Sequence, residues 1–115
     1  MIVAIVNRLK TGTIKNVVPF GSKPTAIPYI VVKCERDEGV RLIRVTVHHN
    51  QGYQVDVEKY VLHNLSVLLR NWKGTDSYGN TFIVKDTGEY TDIVTTNDDS
   101  TISMERVFYV PFRLH

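Results

Sequence analysis

The sequence predicts an α+β domain in the order α-β-β-α-β-β, with a four-stranded, mainly antiparallel sheet, two helices on one face and a long C-terminal hairpin. One long stretch has the apolar spacing of a helix, and four stretches alternate apolar and polar residues as strands do. Clusters of proline, glycine and asparagine separate them. With 115 residues, 43% hydrophobic and 23% charged, the chain fits a single domain over residues 1–115.

The second helix is predicted over Asp56–Lys73, and the rest of the chain must cover its apolar side. These apolar side chains fall on one arc at helical spacing: Val57, Val61, Leu62, Leu65, Leu68, Leu69 and Trp72. Acidic residues stand at its N-terminal end and basic residues at its C-terminal end, as the helix dipole favours. Gly74 follows as the predicted C-terminal cap.

The first helix is shorter and is followed by a long loop. Apolar residues recur at helical spacing and predict a helix that ends near Gly12: Ile2, Ile5, Val6 and Leu9. The segment Thr13–Pro28 is predicted to be irregular because prolines and glycines interrupt it, and Lys15 and Lys23 make it basic. Loops of this length are often functional.

Two strands are predicted to form an antiparallel hairpin in the middle of the chain. Tyr29–Glu35 and Val40–His49 alternate as strands, and the turn Arg36–Gly39 joins them. The side chains predicted to face the helices are Ile30, Val32, Cys34, Ile43, Val45 and Val47. In the core we expect Ile30 or Val32, Val45, Leu65 and Phe108 or Val110 to meet.

The C-terminal hairpin has a first strand over Thr81–Lys85 that bends or bulges at Asp86–Gly88 and resumes over Glu89–Thr96. The return strand is Thr101–Leu114. Its alternate residues form one apolar face, with Arg106 as the polar exception: Ile102, Met104, Phe108, Val110, Phe112 and Leu114.

Pairing this hairpin through its turn places Ile93 opposite Met104 and Thr95 opposite Ile102. It also places Asp92 opposite Glu105, which is unfavourable. Either the register therefore shifts at the bend, or a cation from elsewhere lies between the two carboxylates. Because the strands are about twice the usual length, we expect the outer part, Glu89–Arg106, to project as an arm. Replacing Asp92–Glu105 by a two-residue turn should leave the fold intact.

No pattern predicts catalysis, a metal or a cofactor. His48 and His49 are adjacent on a strand and point to opposite faces, so they cannot share a metal. Cys34 has the position of a small core hydrophobe, although His49 could reach it across the hairpin. Calcium and phosphate loops are not recognisable, and no apolar run is long enough to span a membrane. We therefore expect a protein that is not an enzyme.

A small nucleic-acid-binding α+β module is the alternative. A sheet that carries aromatic side chains close to basic ones is able to stack single-stranded bases. The residues concerned are Tyr29, Tyr53, Tyr109, Phe112, Lys33, Arg41 and Arg44.

Charge is distributed unevenly along the chain. Residues 1–50 contain eight Lys/Arg and three Asp/Glu, a balance of +5, and residues 51–115 contain six and nine, a balance of −3. Such a chain presents unlike surfaces to its own copies.

The stretch Pro19–Val32, PFGSKPTAIPYIVV, followed by RVTVHH, an amphipathic helix and two closing strands, resembles the tail terminator or tail completion (head–tail joining) proteins of long-tailed bacteriophages. The PYIV strand and the C-terminal FYVPFRLH lie where that family has its strands, and the order of elements is similar over nearly the whole chain. The segment QGYQ before the helix is short, and the helix has less alanine than is usual in the family.

The resemblance implies a structural virion protein at the head–tail junction, assembled in the host cytoplasm. Copies would form a homo-oligomeric ring, usually a hexamer, that stops tail polymerisation and joins tail to head. Its partners would be the tail tube protein and a head-completion or connector protein, with DNA passing through the lumen without sequence recognition and no membrane involved. The residues predicted at the oligomer interface come from the loop and the arm: Lys15, Lys23, Tyr90, Asp92, Ile93, Ile102, Met104 and Glu105.

Overall fold

The computed structural model describes residues 1–24, 26–37, 39–90, 95–96 and 101–111, and it has the predicted α+β class. Helix α1 is Ile2–Leu9. The central helix has three consecutive segments: α-helical Gln54–Lys59, π-helical Tyr60–Asn64 and α-helical Leu65–Leu69. The strands are β1 Val17–Pro19, β2 Tyr29–Asp37, β3 Val40–Asn50, β4 Lys73–Thr75, β5 Thr81–Ile83, β6 Lys85–Tyr90, β7 Thr95–Thr96 and β8 Thr101–Pro111.

The main sheet is larger than the four strands that the sequence predicts. Its order is β1-β2-β3-β8-β6, with β7 also paired to β8, and every pair is antiparallel except β1 with β2. Strands β4 and β5 form a second, two-stranded sheet. The sequence misses β1 because three residues within a loop rich in proline and glycine have no periodicity to detect.

The hairpin of β2 and β3 and the core above it confirm the prediction. Five inward side chains of these strands are fully buried and lie in one cluster with both helices: Ile30, Val32, Ile43, Val45 and Val47. Leu65 and Phe108 are also fully buried there. Helix α1 buries Ile5 and Leu9 against β1, β2 and the end of the central helix. The two helices therefore cover one face of the sheet.

The central helix is shorter than predicted, and its cap is a different residue. It ends at Leu69, and Asn71 adopts the left-handed conformation (φ 59°) that turns the chain away. The predicted cap, Gly74, lies in β4, where a Cβ would come within 2.7 Å of the Trp72 ring. Leu62 lies in the π-helical turn and is 37% exposed, because the wider turn shifts it off the apolar arc.

Arg106 explains why the apolar face of β8 has one polar exception. Its side chain is 8% exposed and lies against the π-helical turn. The guanidinium donates to the carbonyl oxygens of Val61 and Leu62 at 2.9 and 3.1 Å and to Ser66 Oγ at 2.6 Å. Its other terminal nitrogen pairs with the Asp86 carboxylate. The arginine thus satisfies carbonyls that a π-helical turn leaves without α-helical partners.

The C-terminal hairpin is bulged where the sequence predicts it, but its register is different. Pairing of β6 with β8 shifts between Asp86 and Glu89. Thr95 lies opposite Ser103 and Thr96 opposite Ile102, one residue away from the predicted alignment. The pairs show two shifts: Lys85 to Tyr90 is two residues longer than Tyr109 to Arg106, and Tyr90 to Thr95 is two residues longer than Arg106 to Ser103. Each extra residue moves the later pairs along the ladder, so a register counted from the turn alone does not hold.

The arm prediction is wrong for its return half. Strand β8 lies in the centre of the sheet and pairs with β3 over its whole length, from Asn50 with Thr101 to Val40 with Pro111. Removing residues 92–105 would therefore take a central strand out of the core. Asp92, Ile93, Phe112 and Leu114 lie outside the described residues.

Candidate interaction surface

The sheet has one face that the helices do not cover, which we call the uncovered face. Alternation along each strand places on it Tyr29, Val31, Lys33, Glu35, Leu42, Arg44, Thr46, His48, Thr101, Ser103, Glu105, Val107 and Tyr109. Thr101, Ser103 and Val107 are buried and the others are half-buried, so the face is neither a core nor a fully hydrated surface. It is a candidate for contact with another molecule.

Four charged side chains at the middle of this face form one charge network: Lys33, Glu35, Arg44 and Glu105. The Arg44 guanidinium donates to Glu35 at 3.2 Å and to Glu105 at 3.0 Å, and Lys33 lies 3.2 Å from Glu35. Hydrogen bonds from Arg44, and next from Lys33, hold the pKa of Glu35 below its usual value. Two positive and two negative groups cancel, so the network presents no net charge to a partner.

Glu105 has a basic partner on this face. Its carboxylate accepts from Arg44 of β3, the neighbouring strand of β8. The predicted opposition of Asp92 to Glu105 lies outside the described residues.

Aromatic groups near this face are already stacked within the chain. Tyr29 stacks on His48 with 4.5 Å between ring centroids, and Tyr53 stacks on His49 at 4.0 Å. The Lys33 ammonium lies 4.6 Å from the centre of the Phe20 ring. Each of these contacts uses one face of an aromatic ring. A base that stacks on the same face would have to displace the contact first.

The β1 edge of the sheet is closed to a further strand. The N–H of Val17 donates to Lys15 O at 3.1 Å, and Pro19 has no N–H to offer. The Pro19 carbonyl accepts from Ser22 N–H at 3.1 Å. Only a short stretch of β1 backbone therefore remains for pairing with another strand. Short edge strands are one way in which natural sheets avoid unwanted pairing.

The β6 edge is blunted in a different way. At the bulge, the N–H of Gly88 donates to Asp86 Oδ1 at 2.9 Å and the N–H of Glu89 donates to Thr87 Oγ1 at 3.0 Å. These side chains take donors that an incoming strand would need. At these positions of β1 and β6, backbone groups are already bonded within the chain and leave less free backbone for an added strand.

The predicted interface residues separate into three groups. Lys15 and Lys23 are exposed in the loop, Tyr90 is 47% exposed, and Glu105 is half-buried on the uncovered face. Ile102 and Met104 are 1% and 2% exposed, so both belong to the core and have no surface to offer a partner. The two remaining residues, at positions 92 and 93, lie outside the described part of the chain.

The loop that carries the two lysines is held to the sheet at its base. Asn16 Nδ2 donates to Ala26 O at 2.7 Å, and Asn16 O accepts from Ile30 N–H at 2.9 Å. Phe20, 66% exposed, extends from the end of β1. The loop therefore presents basic and aromatic side chains from a fixed base.

The histidines and the cysteine do not assemble a reactive site within the described residues. Cys34 lies opposite Ile43, six positions along β3 from His49, so that histidine does not reach the thiol. Burial raises the pKa of Cys34, which keeps the thiol protonated. In the described ranges, no three His, Cys, Asp or Glu side chains lie close enough to hold a metal ion.

Comparison with known proteins informs on the fold alone. No protein-family model matches the chain, and no curated protein matches it. A solved structure whose designation states no activity or ligand is similar over 98% of this chain and 93% of its own, with a TM-score of 0.67 and 18% sequence identity. None of the helices in the described ranges is long and apolar enough to cross a membrane.

Proposed function

We propose that this chain is a structural protein of a long-tailed bacteriophage virion rather than an enzyme. Copies close into a ring of six at the end of the tail tube, stop tail polymerisation and join tail to head. The ring contacts the tail tube protein on one side and a head-completion or connector protein on the other. DNA passes through its lumen without sequence recognition. Assembly takes place in the host cytoplasm.

The observation that carries this proposal is the uncovered face. Its four charged side chains are bound to one another, and half-buried apolar groups such as Val31 and Leu42 surround them. A face with internally neutralised charge and partly apolar surroundings suits a protein contact, because little charge has to be desolvated without a partner. The kind of assembly is inferred from the resemblance of the sequence to tail terminator proteins. The uncovered face is the surface that we propose for contacts between its subunits.

The unequal charge of the two halves of the chain supports a head-to-tail contact. A ring requires two different surfaces on each copy, one to offer and one to receive. The +5 balance of residues 1–50 and the −3 balance of residues 51–115 give each copy unlike surfaces. The exposed loop lysines Lys15 and Lys23 suit a lumen through which DNA passes, since they attract phosphate without reading bases.

The test is assembly of the purified protein, alone and with tail tubes of the same phage. We expect native mass spectrometry to detect a species of six chains and electron microscopy to place a ring at the tube end. Val31→Arg introduces a charge on the uncovered face and should reduce ring formation at least tenfold. The control Val67→Arg makes the same change at a 67% exposed position on the central helix and should leave assembly unchanged.

Two results would contradict the proposal. One is a protein that remains monomeric at high concentration and does not bind tube ends. The other is tight, strongly salt-dependent binding of single-stranded DNA by the monomer, which is the behaviour of the nucleic-acid-binding alternative.

A further inference from the structure

The two α-helical segments of the central helix are out of phase with each other, as two positions seven residues apart show. Two turns of an α-helix bring residues i and i+7 to the same side. Glu58 and Leu65 have this spacing, yet Leu65 is fully buried and Glu58 is exposed. Val57, one residue earlier, is 1% exposed and lies in the core cluster with Leu65. The first segment is therefore rotated by one residue, about 100°, relative to an unbroken α-helix that continues back from Leu65.

The π-helical turn between the two segments accounts for this rotation. The N–H of Leu65 donates to Tyr60 O, five residues earlier, where an α-helix would use the carbonyl four residues earlier. Such a turn accommodates one residue more than an α-helical turn. It therefore aligns Val57 with Leu65 and leaves Glu58 on the solvent side. The turn adds nothing to the core on its outer side, where Leu62 and His63 are exposed.

Arg106 binds the backbone acceptors that this extra residue leaves without donors from the helix. Its guanidinium donates to the carbonyl oxygens of Val61 and Leu62 within the turn, and to Ser66 Oγ in the α-helical segment that follows. Ser66 Oγ itself donates to Leu62 O at 3.1 Å. Because unpaired backbone carbonyls in a buried setting are costly, these bonds stabilise the turn and tie it to the second segment.

The guanidinium is held in a position that suits a hydrophobic side chain better than a charged one. The Asp86 carboxylate binds its second terminal nitrogen, and the Phe108 ring centre lies 5.1 Å from the guanidinium carbon. Arg106 Nε is buried and has no acceptor among the described residues. An aliphatic residue facing an unbroken α-helix would avoid the cost of burying this charge and this donor. The bonds to the turn are what an aliphatic residue could not provide.

We propose that the central helix contains one inserted residue, accommodated by its π-helical turn, and that Arg106 is the positioning residue that holds the insertion. The turn and the arginine work as one unit: the turn sets which faces of the two α-helical segments meet the sheet, and Arg106 binds the acceptors that the turn releases. This inference goes beyond the proposed ring and does not depend on it, because it concerns a single chain.

The test compares two opposite changes at one exposed site: deletion of His63 and insertion of one alanine after His63. Deletion leaves Val57 and Leu65 seven residues apart, so an unbroken α-helix buries both. Insertion moves the two segments out of phase by one residue more. Both variants have a native-like composition and differ only in the direction of the change. We expect the deletion to lower the urea midpoint by at most about half as much as the insertion does.

A crystal structure of the deletion variant gives a direct second measurement. It should show bonds between residues four positions apart along the whole central helix, with Val57 and Leu65 still in the core. A general tolerance of this helix to length changes would not by itself remove the π-helical turn.

Arg106→Met separates the role of the arginine from that of the turn. The change removes the guanidinium and keeps much of the side-chain volume. If Arg106 holds the insertion, it should lower the urea midpoint about twice as far in the unmodified protein as in the deletion variant, where the helix needs no extra donors.

Three results would overturn the inference: equal losses from deletion and insertion, a deletion variant that keeps a π-helical turn, or an equal effect of Arg106→Met in both backgrounds. If the deletion variant does not fold, its combination with Arg106→Met decides, since an aliphatic side chain should fit against the unbroken helix; failure of that combination would also overturn the inference. All these measurements are made on the monomer, so none of them decides whether copies form a ring.

Discussion

The buried pair of Arg106 and Asp86 allows a stability prediction of definite size. The two side chains are 8% and 16% exposed, so water screens them little. Asp86→Asn keeps the shape of the side chain but removes the negative charge and one of the two acceptor oxygens that bind Gly88 N–H and Arg106. The guanidinium is then left buried without a counter-ion. Removing one partner of a buried pair typically costs about 3–5 kcal/mol. Three other acceptors remain on Arg106, so we expect the lower end, about 3 kcal/mol.

Urea unfolding followed by fluorescence is a suitable assay, because Trp72 is the single tryptophan and packs edge-to-face on Phe82 at 5.8 Å. Asp86→Asn should lower the midpoint without changing the slope of the transition. The control Asp56→Asn makes the same chemical change at an exposed position in the first turn of the central helix and should change stability by less than about 0.5 kcal/mol.

A double-mutant cycle tests the reason for the cost. Arg106→Met removes the charge and keeps much of the volume, so the variant with both changes should lose less than the sum of the two single losses. Two results would refute the reasoning: a loss below about 1 kcal/mol for Asp86→Asn, or additive losses in the cycle. Either would mean that water or a shift of the bulge already compensates the guanidinium.

Two further predictions follow from the core and from the charge network. Leu65→Ala, at a fully buried position, should cost about 2–5 kcal/mol in the same urea assay, and a loss below about 1 kcal/mol would contradict the assignment of the core face. The lowered pKa of Glu35 means that its ion pairs stabilise the fold at pH values above the usual glutamate range, near 4.3, and that this contribution disappears as the pH falls below it. The difference in unfolding free energy between the unmodified protein and Glu35→Gln should therefore shrink from pH 7 to pH 3. For the exposed control Glu58→Gln, this difference should change less with pH. An equal difference at both pH values for Glu35→Gln would be inconsistent with the pairing.

The sequence predicts what depends on local periodicity. Spacing alone predicts helix α1, strands β2 and β3 and the buried residues Val45 and Leu65, because one face of each element must leave water. Spacing does not predict where the central helix ends. Gly74 is a plausible cap by residue type, but Asn71 turns the chain, and contacts with the second sheet keep Gly74 in a strand.

The polar network around Arg106 shows a different limit. Alternation along β8 identifies Arg106 as the polar exception on an apolar face. The neighbouring sequence does not predict which residues bind it. Asp86 lies twenty residues earlier, at a bulge, and the accepting carbonyls belong to a π-helical turn that has no sequence signature. Partners of a buried charge depend on tertiary packing, which spacing does not encode.

The length of the C-terminal strands led to the wrong inference for a related reason. A strand of eleven residues is long for a small domain, and reading it alone suggests a projection. In the fold it lies beside β3, which is equally long, and the pair spans the sheet from end to end.

The position of β8 inside the sheet changes where contacts between copies are expected. With β8 inside the sheet and both described edges blunted, a neighbouring copy has side chains to bind and little free backbone to extend. Backbone addition tolerates most side-chain changes, whereas contacts through side chains depend on the residues that make them. Ring formation should therefore respond strongly to single changes at positions such as Val31 on the uncovered face, and weakly to changes along β1 and β6.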